Sequence, residues 1–233
     1  MIAGNRVGVI IPAAGSGTRL GGGVAKQFLD LQGIPILAHT LQRFEQHPAI
    51  DVIAIAGSST VELITEIVRT IRASKVIWIG TGGPRRQDSV WNALQALGDA
   101  ALQIVLIHDA VRPFVAPTLI DAVIDATVTY GAAIPVIPPN DTIKEGPGGG
   151  FVKITPDRSK LWMVQTPQGF RYDLIIDAYR QAEQDQFTGT DDASLVEHFG
   201  VPVKMVQGSR DNFKITTGED LEIARYLASR KER

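Results

Sequence analysis

The segment Pro12-Ala13-Ala14-Gly15-Ser16-Gly17-Thr18-Arg19-Leu20-Gly21-Gly22-Gly23-Val24-Ala25-Lys26-Gln27 joins small, flexible residues to two cations, Arg19 and Lys26. Glycine lets backbone amides approach a phosphate closely, and two cations on the same loop would neutralise polyphosphate charge. A dinucleotide fingerprint needs its third glycine where Leu20 stands, and a Walker A loop needs Gly-Lys-Ser/Thr where Ala25-Lys26-Gln27 stands, so neither fits. Taken alone, the segment also reads as a glycine-rich surface turn with solvated charges.

Further along, His108-Asp109 closes an apolar run and Arg112-Pro113 opens the next loop, which lets Asp109 and Arg112 face a crevice. A lone His at a strand end is more often a satisfied structural group than a catalyst. Asp191 and Asp192 stand where a helix should begin, and helix capping suits them better than metal binding. Taken alone, Arg158 and Lys214 read as solvated charges.

These residues need a scaffold, and the apolar pattern supplies one. Short β-branched runs at Val7 to Ile11, Val52 to Ala56, Val76 to Ile79, Ile104 to His108 and Ala133 to Ile137 predict strands of a mostly parallel sheet buried on both faces. Helical spacing between them (Val61, Ile64, Val68, Ile71; Leu119, Val123, Ala126, Tyr130; Leu174, Ala178, Ala182) predicts covering helices, hence an α/β fold. A strand near Val203 to Val206 and a helix from Gly218 to Ser229 return the chain to this fold. Within one domain of residues 1–233, residues 139–160 read as an inserted β-hairpin arm with a Gly146-Pro147-Gly148-Gly149-Gly150 tip. Two short strands have too little core to stand alone, so the arm is expected to lean on a second subunit.

The chain has 233 residues, 23 Lys plus Arg against 25 Asp plus Glu, and no Cys. Near-neutral charge argues against a nucleic-acid coat or a polybasic membrane binder, and the absence of Cys excludes disulfides, thiolate metal sites and a cysteine nucleophile. The four His lack zinc-ligand spacing, and no apolar run approaches a membrane span or a signal-peptide core. A cytoplasmic location is the expectation.

The glycine segment, read as Pro-Ala-Ala-Gly-x-Gly-x-Arg and ending in Lys-Gln, resembles the signature of the 2-C-methyl-D-erythritol 4-phosphate cytidylyltransferase family. Gly82-Gly83-Pro84-Arg85-Arg86-Gln87-Asp88-Ser89-Val90, His108-Asp109-Ala110-Val111-Arg112-Pro113, Asp141-Thr142, Gln165-Thr166-Pro167-Gln168 and Asp211-Asn212-Phe213-Lys214 follow its motifs in order. Ala25 departs from the family's usual proline before the lysine, and Val111 is a milder change.

The resemblance implies a Rossmann-like nucleotidyltransferase fold and transfer of CMP from CTP to methylerythritol 4-phosphate, with release of pyrophosphate. It also implies Mg2+ as cofactor and a homodimer. Carried over residue by residue, it makes Arg19, Lys26, Arg158 and Lys214 catalytic and sets Ala13, Ala14, Gly15, Gly17, Gly82 and Ser89 against the nucleotide. The acceptor side would be Asp109, Ala110, Arg112, Thr142, Arg158, Thr166 and Lys214. A different polyol or sugar phosphate as acceptor, or a non-enzymatic nucleotide-binding protein, stays open on the residues alone.

Overall fold

A computed structural model describes residues 4–15, 24–57 and 60–231. In chain order the elements are β1 (Val7–Pro12), β2 (Asp30–Leu31), β3 (Ile34–Pro35), α1 (Ile36–Glu45), β4 (Val52–Gly57), α2 (Val61–Thr70), β5 (Val76–Thr81) and α3 (Arg86–Ala96). There follow β6 (Ile104–Ile107), α4 (Pro117–Tyr130), β7 (Ala132–Ile137), β8 (Met163–Val164), β9 (Gln168–Arg171), α5 (Tyr172–Gln184), α6 (Asp192–His198), β10 (Lys204–Gln207) and α7 (Gly218–Lys231).

The main sheet runs β10-β7-β9-β6-β1-β4-β5, with β8 also paired to β7. β1, β4, β5 and β6 are mutually parallel. After β1 the chain builds outward to β4 and β5, then crosses to place β6 on the other side of β1. Such a reversal leaves a crevice at the carboxyl ends of the two strands. β1, β4, β6 and β7 are buried along almost their whole length, as their near-continuous apolar runs require. Helices cover both faces. One core layer is built on Val9, Ile11, Phe44, Ile55 and Ile120, and the other on Ile10, Ala54, Leu94, Phe170 and Ile175.

Two expectations change, at β5 and at the arm, and strand β9 is an addition to the sequence reading. The run at Val76 to Ile79 forms the edge strand β5 and is not buried on both faces, and Ile77 is half exposed. Strand β9 has no apolar alternation to announce it: Gln168 and Gly169 sit in mid-sheet because Gln168 satisfies its own amide, donating to Asp191 Oδ2 and accepting from Ala193 N. Gly169 is needed there, since a Cβ would stand 2.3 Å from Thr127 Oγ1. β8 and β9 lie along the same edge of β7, and the break between them falls opposite Pro135, whose carbonyl accepts from Gln165 N. In an extended strand the N–H and C=O of one residue face the same edge, so the donor proline lacks is missing at the break.

The arm turns back antiparallel, but a single bridge between Glu145 and Ile154 replaces the two expected strands. Three successive glycines with positive φ, Gly148, Gly149 and Gly150, form the tip and offer no side chain to pack. Phe151 is 82 % exposed, and Val152 and Ile154 are more than half exposed.

Candidate active site

The carboxyl ends of β1, β5 and β6 and the segment before α7 enclose a cavity of about 380 Å³, within the range of small-molecule sites. Ala13, Ala14 and Gly15 continue β1 into one wall, and Gly83 to Arg86 and Ser89 form a second at the start of α3. Asp109, Ala110 and Val111 form the base, and Lys26, Lys214 and Thr216 the remaining side.

Local sequence explains each placement. Buried Gln27 donates its side-chain amide to Ala13 O at 2.7 Å and Gly15 O at 3.1 Å, tying the far end of the glycine segment to its root. Its neighbour Lys26 therefore faces the cavity, where Nζ donates to Thr216 O at 2.7 Å. Thr216 is itself fixed, because Asp220 Oδ2 accepts from both its backbone N and its hydroxyl at 2.7 Å. On the opposite wall Ser89 Oγ accepts from Gly83 N at 3.0 Å. Gly82 passes so close to Ser89 Oγ, Ala14 Cβ and Gly57 O that an added Cβ would lie within 2.8 Å of all three.

Charge concentrates at Asp109. Its carboxylate is nearly buried, and three cations surround it: Lys214 Nζ at 3.1 Å and Arg112 Nε at 3.2 Å from Oδ2, and Arg86 Nε at 3.6 Å from Oδ1. Burial alone would raise the carboxyl's pKa, but Lys214, Arg86 and Arg112 outweigh it and hold the group well below the ordinary range. Arg112 is 8 % exposed and spends Nη1 on Asn212 O at 2.8 Å. Thr166 accepts from Asp109 N at 3.0 Å. Both thus support the cavity floor from beneath and do not line the cavity.

The structure brings together Ala13, Ala14, Gly15, Lys26, Gly82, Ser89, Asp109, Ala110, Arg112, Thr166 and Lys214. Arg19 and Gly17 lie outside the described residues. Thr142 and Arg158 are not brought to the cavity: both are exposed at the base of the arm, where Arg158 donates to Asn140 O.

Asp191 caps α6 as its position suggests, its side chain accepting from Ser194 N at 3.0 Å. Asp192 corrects the capping reading: it is buried and pairs with Arg86 at 2.7 Å. The motifs give no role to Arg86, Asn212 or Gln27, although each lies inside one. The paired Arg85-Arg86 directly after the Gly-Gly-Pro turn is the signal that could have drawn attention to Arg86.

Comparison with known proteins agrees with this geometry. A chain from Symbiobacterium thermophilum, a 2-C-methyl-D-erythritol 4-phosphate cytidylyltransferase, is 48 % identical over 97 % of this chain and 94 % of its own. The crystal structure of 4-diphosphocytidyl-2C-methyl-D-erythritol synthase from Anaerococcus prevotii superposes with a TM-score of 0.85 at 31 % identity, covering 98 % of both chains. That of the Thermus thermophilus 2-C-methyl-D-erythritol 4-phosphate cytidylyltransferase gives 0.80 at 35 % identity, covering 96 % of this chain and 99 % of its own. With residues 7–230 matched by the family's sequence model, the chain belongs to the 2-C-methyl-D-erythritol 4-phosphate cytidylyltransferase family.

Proposed function

We infer that the chain transfers CMP from CTP to 2-C-methyl-D-erythritol 4-phosphate, forming 4-CDP-2-C-methyl-D-erythritol and pyrophosphate for isoprenoid precursor synthesis. The observation that carries the reading is the cavity lined by two cations from distant parts of the sequence, Lys26 and Lys214, with a buried carboxylate at its base.

In this reading an oxygen of the acceptor's phosphate attacks the α-phosphorus of CTP. A new P–O bond forms as the bond from the α-phosphorus to the bridging oxygen breaks, and pyrophosphate leaves with that electron pair. The nucleophile needs no base, because a phosphate monoester with a second pKa near ~6 is already largely ionised at neutral pH. The protein's work is positioning and charge relief. Lys26, with Arg19, stabilises charge on the α-phosphate and the departing pyrophosphate. Lys214 orients the acceptor's phosphate, and Asp109 accepts hydrogen bonds from its hydroxyls. Backbone at Ala14, Gly15 and Gly82, with Ser89, makes a narrow slot suited to a pyrimidine.

A divalent cation such as Mg2+ fits as a companion of the triphosphate. No cluster of three or more His, Asp or Glu is present among the described residues, and Asp109 is already matched by cations, so phosphate oxygens and water would supply the ligands. When bound, it would relieve phosphate charge.

The exposed arm supports a homodimer in which Thr142 and Arg158 reach the partner's cavity. A cytoplasmic location agrees with the finding that, among the described residues, no helix is long and apolar enough to cross a membrane. The test is pyrophosphate release with CTP against ATP, GTP and UTP, and with methylerythritol 4-phosphate against ribitol 5-phosphate. Rapid release with the first of each set is expected; none, or faster release with ribitol 5-phosphate, overturns the reading.

A further inference from the structure

From the cavity base and wall, a chain of polar contacts runs inward from Asp109 through Arg86. Arg86, the first residue of α3, places Nε 3.6 Å from Asp109 Oδ1 and Nη1 2.7 Å from Asp192 Oδ2. Asp192 is 1 % exposed, and its other oxygen accepts from the Tyr179 hydroxyl at 2.6 Å. Tyr179 is also buried, and its ring lies nearly parallel to Trp91 at 5.6 Å, so the hydroxyl is held by a packed aromatic pair. Burial and the adjacent Asp192 push the phenol well above its usual pKa, which keeps it a donor. Burial opposes the charge on Arg86, but Asp192 and Asp109 outweigh it and strengthen its hold on the proton.

The two oxygens of Asp109 are served differently. Oδ2 takes both Lys214 and Arg112, and Oδ1 faces Arg86. A carboxylate anchored through one oxygen can still turn about its χ2 torsion, which is broad for an sp3–sp2 bond. A fixed cation opposite the second oxygen removes that freedom. Arg86 is fixed because Asp192 grips the far side of its guanidinium, and a planar fork transmits orientation where a lysine ammonium would not.

We propose that Arg86, held by the buried Tyr179–Asp192 pair, is a positioning residue that sets the plane of the Asp109 carboxylate for the acceptor substrate. The inference rests on the placement of Asp109 against methylerythritol phosphate given above. Asp109 receives the acceptor's hydroxyls in the orientation that Arg86 imposes, so loss of the network weakens acceptor binding and leaves CTP binding alone.

The experiment measures KM for each substrate by pyrophosphate release, with the other saturating. The Arg86→Gln/Asp192→Asn variant removes the buried pair together, avoiding an uncompensated buried charge. It is expected to raise the acceptor KM about tenfold while the CTP KM stays within about twofold. Arg86→Lys keeps the charge without the fork and should recover only part of the loss. Tyr179→Phe removes one hydroxyl and no charge, and is expected to raise the acceptor KM about threefold in a folded protein. An unchanged acceptor KM in Tyr179→Phe overturns the proposal, as does a raised CTP KM or a fall in kcat alone in the paired variant.

Asp109→Asn separates the inference from the reading beneath it. If Asp109→Asn leaves the acceptor KM unchanged, the placement of Asp109 is wrong and the inference falls with it. If that KM rises, adding Arg86→Gln/Asp192→Asn should change it by less than about twofold, because residues acting through one group do not add. A further full tenfold would leave Asp109 in place and overturn the role of Arg86.

Discussion

Nδ1 of His108 lies 3.1 Å from Thr166 Oγ1, and the hydroxyl can meet this nitrogen of a buried imidazole as a donor. Thr166 Oγ1 already accepts from Asp109 N, so its hydroxyl hydrogen is free to point at Nδ1. Nε2 faces the carbonyl of Arg112 at 3.1 Å, which only accepts, so Nε2 carries the hydrogen. His108 is then neutral with both nitrogens satisfied, and burial pulls its pKa down to about 4.

That depression sets a pH dependence of stability. Between pH 6.5 and about 4 the unfolded chain takes up a proton at this position that the folded chain refuses, so stability falls as pH drops through this window. On going from pH ~8 to pH ~5, His108 should cost about 2 kcal/mol of unfolding free energy. The Asp109 carboxylate is still fully paired there, because its contribution fades only below the ordinary carboxylate range. Urea unfolding of a His108→Gln variant should show a pH difference smaller by that amount, and an undiminished difference refutes the assignment. The same variant should keep the acidic limb of its rate profile near pH ~6, where the acceptor's phosphate ionises.

Lys26→Ala should reduce turnover by ~10²–10³ with little change in unfolding, since one lost contact to transition-state charge is worth that much. Its ammonium donates to the Thr216 carbonyl from a partly exposed position. Near-normal turnover in the folded variant would remove Lys26 from the mechanism.

Ala25 stands where the family usually has proline, yet its φ of -66° and ψ of 143° are values proline adopts. Restoring the ring should therefore stabilise the protein by about 0.4–1 kcal/mol by restricting the unfolded chain. The melting temperature of Ala25→Pro should rise by roughly 1–4 °C. A fall would mean that the native backbone cannot accept the ring.

Gly82→Ala should behave in the opposite sense. The new methyl group must enter a space bounded by Ser89 Oγ at 2.6 Å, Ala14 Cβ at 2.7 Å and Gly57 O at 2.8 Å. Two of these atoms belong to rigid strand ends or their extensions, so overpacking of about 1–3 kcal/mol is expected, together with a raised KM for CTP. Wild-type stability and KM would show that the two walls are not in contact in solution.

Trans placement of the arm can be counted. If Thr142 and Arg158 serve the partner's cavity, a mixed dimer of Lys26→Ala and Arg158→Ala chains has both lesions in one site and none in the other. Random mixing makes about half of all dimers mixed, so co-refolded chains should recover about a quarter of wild-type activity. Background activity with subunit exchange confirmed by mass would place each site within one chain.

Strands β1, β4, β6 and β7 were legible because strands buried on both faces leave continuous apolar runs, and these are such strands. The first turn of α3 was hidden by its polar residues: Arg86 and Ser89 line the cavity, Gln87 hydrogen-bonds Phe187 O and Gly189 N, and Asp88 pairs with Arg85. β9 was hidden because its side chains satisfy partners far away in sequence, and no local pattern reports that. Motif order located the cavity residues. It could not reveal Asp192 or Tyr179, whose roles exist only after α5 and α6 pack against the start of α3.

Strand β9 also orders events during synthesis. β6 can join β1 as soon as both have emerged, but β7 has no hydrogen bond to β6, and only β9 lies between them. A nascent chain that has reached residue 137 therefore holds one half-sheet, β5-β4-β1-β6, and a separate strand β7 whose sheet partners are all still to be made. The whole arm must leave the ribosome before Gln168 to Arg171 can slot into the gap. Ribosomes stalled within the arm would carry a half-sheet with open strand edges, a substrate for chaperones and for pairing with a neighbouring nascent chain.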